Sequence, residues 1–385
     1  MQRFLSFLIM SILTQSAFPA EGREARFYLG TYTHPAQPGS VKNPGIYVGG
    51  IDVETGRLGS LRAAGEAENP SFLALSPDGK FLYAAVEHSK GAAAAFRVEP
   101  GGSLTSLNEL PAGGAGTCHV SVDATGRSVF AANYNAGSLV AFRTAPDGTL
   151  EKQTALIPLK GSGPHPKRQT QSFGHSIYAD PANRFVYGCD LGSDQIWCFK
   201  LDAAAGTLTP NDPPAGKVPP GSGPRHLAFN PRGDFVYVCN ELNSTVTTFS
   251  CQAEKGILTP LQTVSLLSKG MDVAGFGTAE IIMHPSGRWL YISDRDTTNA
   301  GRDVIAVFAI APDGLLSHVQ TAPAQVKCPR GFAIDPSGRW LVVAGQVDHR
   351  IAVLKINQGD GKLEPTDQTA EVPAPVCVIF APHPL

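Results

Sequence analysis

The chain has 385 residues, of which 41 are glycine and 31 are proline, about a fifth of the sequence against roughly 12% in an ordinary protein. Hydrophobic residues at 42% exclude a disordered chain, the missing Gly-X-Y period excludes collagen, and the helix-breaking composition disfavours helical bundles, leaving an all-β protein. A net charge of −2 leaves no basic surplus for nucleic acid.

The first twenty residues differ from the rest of the chain. Arg3 precedes an apolar run over residues 4–13, and small residues ending in Ala20 follow. This pattern is typical of a secretory signal peptide over residues 1–20, and a run of ten residues is too short to span a bilayer. A membrane-anchored N-terminus is the alternative. We therefore expect an exported protein, periplasmic or secreted, without a stable membrane span.

The cysteines indicate neither a disulfide framework nor a metal site. There are seven, an odd number, with wide spacings and no CxxC motif. Most of them lie in apolar, strand-like runs, where a cysteine behaves as a small buried side chain. No set of metal ligands with convincing spacing is present, so we expect no metal and no cofactor.

A first repeat consists of a polar turn followed by an apolar strand, as in residues 76–83 (SPDGKFLY) and residues 284–291 (HPSGRWLY). Proline at the second turn position and glycine two residues later fit tight-turn chemistry. The copies recur at intervals of 47 to 57 residues. Its six copies begin at Ser76, Asp123, Asp180, Asn230, His284 and Asp335.

A second repeat, Gly-x-Leu after polar residues, alternates with the first. Its seven copies begin at Gly56, Gly102, Gly148, Gly206, Gly256, Gly314 and Gly361. Two hairpins per ~50 residues predict the four-stranded blade of a β-propeller. We predict one all-β domain over residues 21–385 with seven blades, in which residues 376–380 complete the blade begun by residues 27–32 and 45–53. A β-helix or a pair of sandwiches does not predict hairpin pairs at this spacing.

The register of the first repeat predicts where a site lies. In an antiparallel hairpin, residues about five before the turn face residues about eleven after it, so all of them ring one mouth of the propeller. Polar groups concentrate at these positions, which suits an anionic ligand and acid–base chemistry. A solvated rim of mutually paired side chains is the alternative. The group comprises His175, Arg225, His226, Glu241, Arg295, Arg330, Asn133 and Tyr134.

The longest interval between turn units contains an extended loop over residues 156–173. Lys167 and Arg168 lie in it, and arginine is well shaped to grip a carboxylate or phosphate. Long ordered loops on such folds often carry function, so both residues are predicted to reach over the mouth. A flexible, solvated loop is the alternative.

At these residues the sequence resembles the seven-bladed lactonase family, which contains the propeller-type 6-phosphogluconolactonases and the carboxy-cis,cis-muconate cyclases. The resemblance covers roughly residues 26–380. It is carried by YLGTY at residues 28–32, NY at 133–134, RQ at 168–169, GHS at 174–176, DLGSD at 190–194, GPRH at 223–226, NEL at 240–242 and PVCV at 375–378.

The resemblance implies a catalytic cluster of one histidine, two arginines and one glutamate, which fall on His175, Arg225, Arg295 and Glu241. Many family members carry His-x-His, and this chain has Phe173 at the first position. His165 is a candidate replacement for that histidine. The Arg-His pair of residues 225–226 also reads Arg-Gly at residues 330–331.

Together these features predict a hydrolase that opens a sugar-type, anionic lactone. His175 is the predicted general base, Glu241 its acid or orienting partner, and Arg225 and Arg295 hold the anion and the developing oxyanion. No Gly-x-Ser-x-Gly nucleophile motif is present. The predicted substrate-binding residues are Lys167, Arg168, His226, Asn133, Tyr134 and Arg330.

Two other functions remain open at this point. The same residues could serve a cycloisomerase on a muconate-type dicarboxylate, or the propeller could be a non-catalytic exported binding protein. A signal peptide also conflicts with a phosphorylated, cytoplasmic substrate, so either the lactone is unphosphorylated or the signal prediction is wrong. We expect a monomer.

Overall fold

A computed structural model describes residues 24–34, 39–268, 271 and 273–382. The predicted signal peptide, residues 1–20, lies outside the described residues. In the described part of the chain all 28 regular elements are β-strands, arranged as seven four-stranded antiparallel sheets. The sheets follow one another in a ring, which confirms the predicted seven-bladed propeller. No helix long and apolar enough to cross a membrane occurs among these residues.

Six blades are each built from four consecutive strands, numbered from the centre outwards. Blade 2 holds β4 (Pro70–Leu75), β5 (Phe81–Val86), β6 (Ala92–Val98) and β7 (Leu104–Pro111). Blade 3 holds β8 (Thr117–Val122), β9 (Ser128–Asn133), β10 (Ser138–Thr144) and β11 (Leu150–Pro158). Blade 4 holds β12 (Gly174–Ala179), β13 (Phe185–Asp190), β14 (Gln195–Asp202) and β15 (Thr207–Lys217).

Blades 5 to 7 repeat this plan. Blade 5 holds β16 (Pro224–Phe229), β17 (Phe235–Asn240), β18 (Thr245–Gln252) and β19 (Ile257–Ser265). Blade 6 holds β20 (Phe276–Met283), β21 (Trp289–Asp296), β22 (Val304–Ile310) and β23 (Leu316–Pro323). Blade 7 holds β24 (Pro329–Ile334), β25 (Trp340–Gly345), β26 (Arg350–Ile356) and β27 (Leu363–Glu371).

Blade 1 closes the ring by joining both ends of the chain. Its inner strand is β28 (Pro375–Phe380), which pairs antiparallel with β1 (Glu24–Thr31). Outside β1 lie β2 (Gly45–Asp52) and β3 (Arg62–Glu66). The predicted completion of this blade by the C-terminal strand is therefore confirmed, and it removes the open edge that an incomplete ring would expose.

The core lies between blades and not within any one of them. Each of the seven contacts between adjacent blades holds its own cluster of buried apolar side chains. The second strand of a blade is covered on both faces, so β9 and β13 are buried at every position. In the outermost strands, such as β11, exposed residues are interspersed with partly buried ones because one face of the strand is in contact with solvent.

Contacts between blades explain why the two sequence repeats occur together. Gly148, in the second repeat of blade 3, has a φ of +85°, and a Cβ there would lie 2.1 Å from the Phe81 ring of blade 2. Its carbonyl oxygen accepts the hydroxyl of Tyr83, also in blade 2, at 3.1 Å. Tyr237 and Tyr291 donate in the same way to the next blade's repeat glycine. Three tyrosines of the first repeat thus bind the glycine of the second.

Candidate active site

A β-bulge interrupts the two inner strands of every blade near the same end of the hairpin. In blade 4, Gly174 pairs with Asp190 and Ser176 pairs with Cys189, which leaves His175 as the extra residue. A bulge re-aims the side chain of its extra residue. The extra residues of the other blades include Ser71, Cys118, Arg225, Arg330 and Val376. The bulges therefore act at the register position where the sequence predicts the site.

Glu241 lies at the centre of a cage of three arginines. Its Oε2 is 3.1 Å from Nε of Arg225 and 3.3 Å from Nη2 of Arg295, and its Oε1 accepts Nη2 of Arg168 at 2.6 Å. Glu241 directly follows β17, while Arg225 is the bulge residue of β16 in the same blade. The predicted juxtaposition of these two register positions is thus present in the structure.

The charges of this cage do not cancel. The Glu241 side chain is 9% exposed and that of Arg225 only 2% exposed. Burial by itself raises the pKa of Glu241, but Arg295, Arg168 and Arg225 outweigh it and lower this pKa to about 2. Glu241 is therefore a permanent carboxylate at neutral pH, and three guanidinium groups surround one negative charge. The excess positive charge suits an anionic ligand.

His175 lies beside this cage as a neutral imidazole. Its Nε2 is 3.8 Å from Oε2 of Glu241, and its Nδ1 is 3.9 Å from the thiol of Cys118. Burial, Arg225 and His226 together hold the pKa of His175 well below its ordinary value. The ring is therefore a base at neutral pH, and the nearby Glu241 carboxylate stabilises the imidazolium that forms when it accepts a proton.

His226 connects Arg225 to a second buried carboxyl group. Nη1 of Arg225 donates to the carbonyl oxygen of Ala279 and lies 3.2 Å from Nε2 of His226, while Nδ1 of His226 is 3.0 Å from Oε1 of Glu280. Because arginine only donates, the neutral His226 ring carries its proton on Nδ1, facing Glu280. Burial raises the pKa of Glu280 to about 7. His226 thus helps to fix the orientation of the Arg225 guanidinium group.

The extended loop brings Arg168 to the cage but not Lys167. Nη2 of Arg168 also donates to the hydroxyl of Tyr134 at 3.1 Å, and the ring of Tyr134 stacks on Phe173 with centroids 4.9 Å apart. Phe173 therefore supports Tyr134, which binds the Arg168 of this loop. Nδ1 of His165 accepts the backbone N–H groups of Lys167 and Arg168, so this histidine shapes the loop. The Lys167 side chain is exposed.

Among the described residues, two other predicted binding residues form neither a hydrogen bond nor an ion pair with Glu241. Asn133 is fully buried, and its amide donates to the Ala112 carbonyl and to Ser138 while its oxygen accepts from Thr117. The side chain of Asn133 therefore stabilises the fold through hydrogen bonds within the protein. The guanidinium of Arg330 lies 5.5 Å from the ring centroid of Tyr32, and the nearby charges of Glu87 and Glu241 both act to raise the pKa of Arg330.

The Arg-Gly departure in blade 7 also has a steric explanation. A Cβ on Gly331 would lie 2.5 Å from the backbone oxygen of Val376, so no histidine fits there.

Several polar groups of the mouth were not predicted as site residues, among them Tyr32, Glu87, Cys118 and Glu280. Within the first repeat, Glu87 occupies the same register position as Glu241, and Glu280 occupies the same position as His226. These positions could have indicated both glutamates as site residues. Within the described ranges, no three histidine, cysteine or acidic side chains are grouped to hold a metal ion. The absence of a cofactor stays a prediction. The seven cysteines are free thiols, and all except Cys328 are buried.

Comparison with known proteins supports one family. Residues 26–380 match the family described as lactonase, 7-bladed beta-propeller. The chain is 32% identical over 356 residues to a 6-phosphogluconolactonase of Bacillus subtilis, covering 92% of this chain and 97% of that one.

Two solved structures are also similar. A Bacteroides fragilis protein superposes with a TM-score of 0.85 at 34% identity, covering 93% of this chain and 98% of that one. The periplasmic gluconolactonase of Pseudomonas aeruginosa has a TM-score of 0.85 at 28% identity, covering 93% and 99%. Fold and sequence agree, and the chain belongs to the lactonase family of seven-bladed β-propellers.

Proposed function

We propose that this protein hydrolyses a sugar-type lactone that carries a carboxylate or phosphate. The observation that carries the proposal is the arginine cage around Glu241 with the neutral ring of His175 beside it. The chain's relatives named 6-phosphogluconolactonase and the P. aeruginosa gluconolactonase support a lactone as the substrate. The cage supplies positive charge for an anion, and His175 supplies a base that can take a proton from water.

In the proposed reaction His175 transfers the proton and Glu241 stabilises its charged form. His175 takes a proton from water, and the resulting hydroxide oxygen attacks the carbonyl carbon of the lactone. The ring C–O bond then breaks, and the imidazolium of His175 returns its proton to the ring oxygen, which becomes a hydroxyl group. The product carboxylic acid ionises and releases one proton at neutral pH. Glu241 stays ionised throughout, so it orients and stabilises the imidazolium and does not serve as the acid.

Arginine donors are available for the oxyanion and for the anionic group of the substrate. Among the described residues, Nη2 of Arg225 and Nη1 of Arg295 make no hydrogen bond within the protein. The remaining donors of both side chains bind Glu241, His226 or backbone carbonyls, which fixes the two guanidinium planes. Fixed donors aimed at a developing charge stabilise a transition state without reorganisation.

A panel of three lactones tests the function. We expect acid release from glucono-1,5-lactone, faster from its 6-phosphate or from a lactone of a sugar diacid, because the cage carries excess positive charge. Acid release is followed with a pH indicator, and the products are identified by mass. A product without added water would instead indicate a cycloisomerase, and tight binding without turnover would indicate a binding protein.

We further propose that the protein is exported after removal of residues 1–20. The N-terminal pattern of Arg3, an apolar run and Ala20 supports this, as does similarity to a protein described as periplasmic. Export favours an unphosphorylated substrate whose charge comes from a carboxylate. N-terminal sequencing of the mature protein tests the cleavage position, and the monomeric state stays a prediction that sedimentation can check.

Replacing Arg168 with alanine is expected to raise the KM for the charged lactone about tenfold with little loss of stability. Its side chain is 41% exposed, and ion pairs at such positions contribute roughly 0–1 kcal/mol to folding. Steady-state kinetics and thermal denaturation measure both effects. The matched control is Lys167→Ala, which removes the neighbouring exposed charge and is expected to leave KM unchanged. Equal effects of the two variants would contradict a specific role for Arg168.

A further inference from the structure

A second polar cluster lies on the opposite side of the mouth from Glu241. Oε2 of Glu87 accepts the hydroxyl of Tyr32 at 3.0 Å, and Arg330 covers the ring of Tyr32. Glu87 follows β5 of blade 2 as Glu241 follows β17 of blade 5, so the two glutamates hold the same register three blades apart. Three arginines surround Glu241, but among the described residues Oε1 of Glu87 makes no hydrogen bond.

Glu87 also lines a cavity of about 330 Å³ at this side of the mouth. That volume lies at the small end of ligand pockets and suits a single sugar-sized molecule. Glu68, His88 and Asn135 line the same cavity. Nδ1 of His88 accepts the backbone N–H groups of Lys90 and Gly91, which leaves Nε2 as the donor of this ring. The cavity therefore offers carboxylate acceptors together with an N–H donor and an amide.

This combination of groups is suited to hydroxyl groups. A carboxylate accepts hydrogen bonds from hydroxyls, whereas it repels a carboxylate or phosphate. The Glu241 cage has the opposite preference, since its excess charge is positive. One side of the mouth thus holds three arginines around one carboxylate, whereas on the other side Glu87 lies with Tyr32 and the single arginine Arg330.

We propose that Glu87, held by Tyr32, binds the hydroxyl groups of a polyhydroxylated lactone and sets the specificity of the site for such substrates. This inference rests on the proposed lactonase function and names the substrate class more closely. The carboxylate of Glu87 disfavours a dicarboxylate, which would bring a second negative charge to this side. Glu87 is a specificity-determining residue that does not take part in proton transfer.

The test compares two six-membered lactones, glucono-1,5-lactone with its hydroxyl groups and δ-valerolactone with none. Glu87→Gln keeps the size of the side chain and an oxygen for Tyr32 but removes the charge. We expect it to lower kcat/KM for glucono-1,5-lactone about ten- to a hundredfold, as for a lost hydrogen bond to a charged group, and to change δ-valerolactone less than about twofold. The control is Glu109→Gln, an exposed change on β7 of the same blade.

An equal loss on both lactones, or no loss on either, would overturn the proposal. If the wild-type protein hydrolyses neither of these lactones nor the charged lactones of the panel, the proposed function fails. Whenever these two lactones are not hydrolysed, the subsite is tested by calorimetric binding of D-gluconate against 5-hydroxypentanoate. A preference for gluconate that disappears in Glu87→Gln supports the subsite. Equal affinities in the wild-type protein overturn it.

Discussion

Replacing Glu241 with glutamine is expected to abolish most turnover and to lower the free energy of unfolding by about 3–5 kcal/mol, the usual cost of breaking a buried ion pair. The change leaves Arg168, Arg225 and Arg295 facing one another without their shared carboxylate. It also removes the charge that stabilises the imidazolium of His175. Denaturant unfolding at pH 7 and lactone kinetics measure the two effects.

The stability difference between this variant and the wild type should depend on pH in a defined direction. The pKa of Glu241 is lowered to about 2 in the folded protein, against about 4.3 in an unfolded chain. Its contribution is therefore fully present above the unfolded pKa and is lost as the pH falls through the folded one. The control is Glu254→Gln, which removes an exposed partner of Arg184 and should leave the free energy of unfolding almost unchanged. A difference that stays constant from pH 7 down to pH 2 would contradict the cage.

Replacing His175 with glutamine is expected to reduce kcat about a hundred- to ten-thousandfold, the range for losing a general base. Glutamine keeps most of the volume at this buried position but cannot accept a proton from water, so thermal denaturation should show a folded protein. His318→Gln, an exposed change on β23, is the control and should retain full activity. Full activity of His175→Gln on every lactone tested would remove this residue from the mechanism.

The pH dependence of kcat/KM provides an independent check on His175. Burial, Arg225 and His226 lower its pKa well below 6.5, and only the neutral ring accepts a proton. Activity should therefore fall on the acid side with a midpoint below pH 6.5, and this limb should be missing from the residual rate of His175→Gln. A midpoint at or above pH 6.5 would contradict the assignment.

Most of the fold could be predicted because each blade is specified by short local signals. Turn residues recur at Ser76 and at corresponding positions, and glycines such as Gly148 recur between them. Both signals have direct structural causes, a tight turn and a close approach of the Phe81 ring. The ring closure was predictable from the missing copy of the first repeat. The β-bulges were not, since an extra residue leaves no mark in the turn spacing.

The sequence predicted the register positions of the site residues but not which side chains contact one another. Arg225 and Glu241 were expected to face one another and do so, while Asn133, at a neighbouring position, is engaged by the fold. The register of a residue in the repeat shows only at which end of the hairpin it lies. Whether its side chain enters the mouth depends on the bulge and on the neighbouring blades. The same limit applies to Glu87, whose position resembled that of Glu241 but whose surroundings differ.

By itself the sequence determined the strand class, the number of blades and the group of polar residues at one mouth, because turn chemistry and apolar alternation act over a few residues. Only the tertiary structure decided which of these residues meet. Arg168 and Glu241 are 73 positions apart and come together through a loop over blade 4. The bulges then turn His175 and Arg225 towards the same carboxylate. Such a cage depends on distances between blades, which are set by packing around the whole ring and not by any one segment.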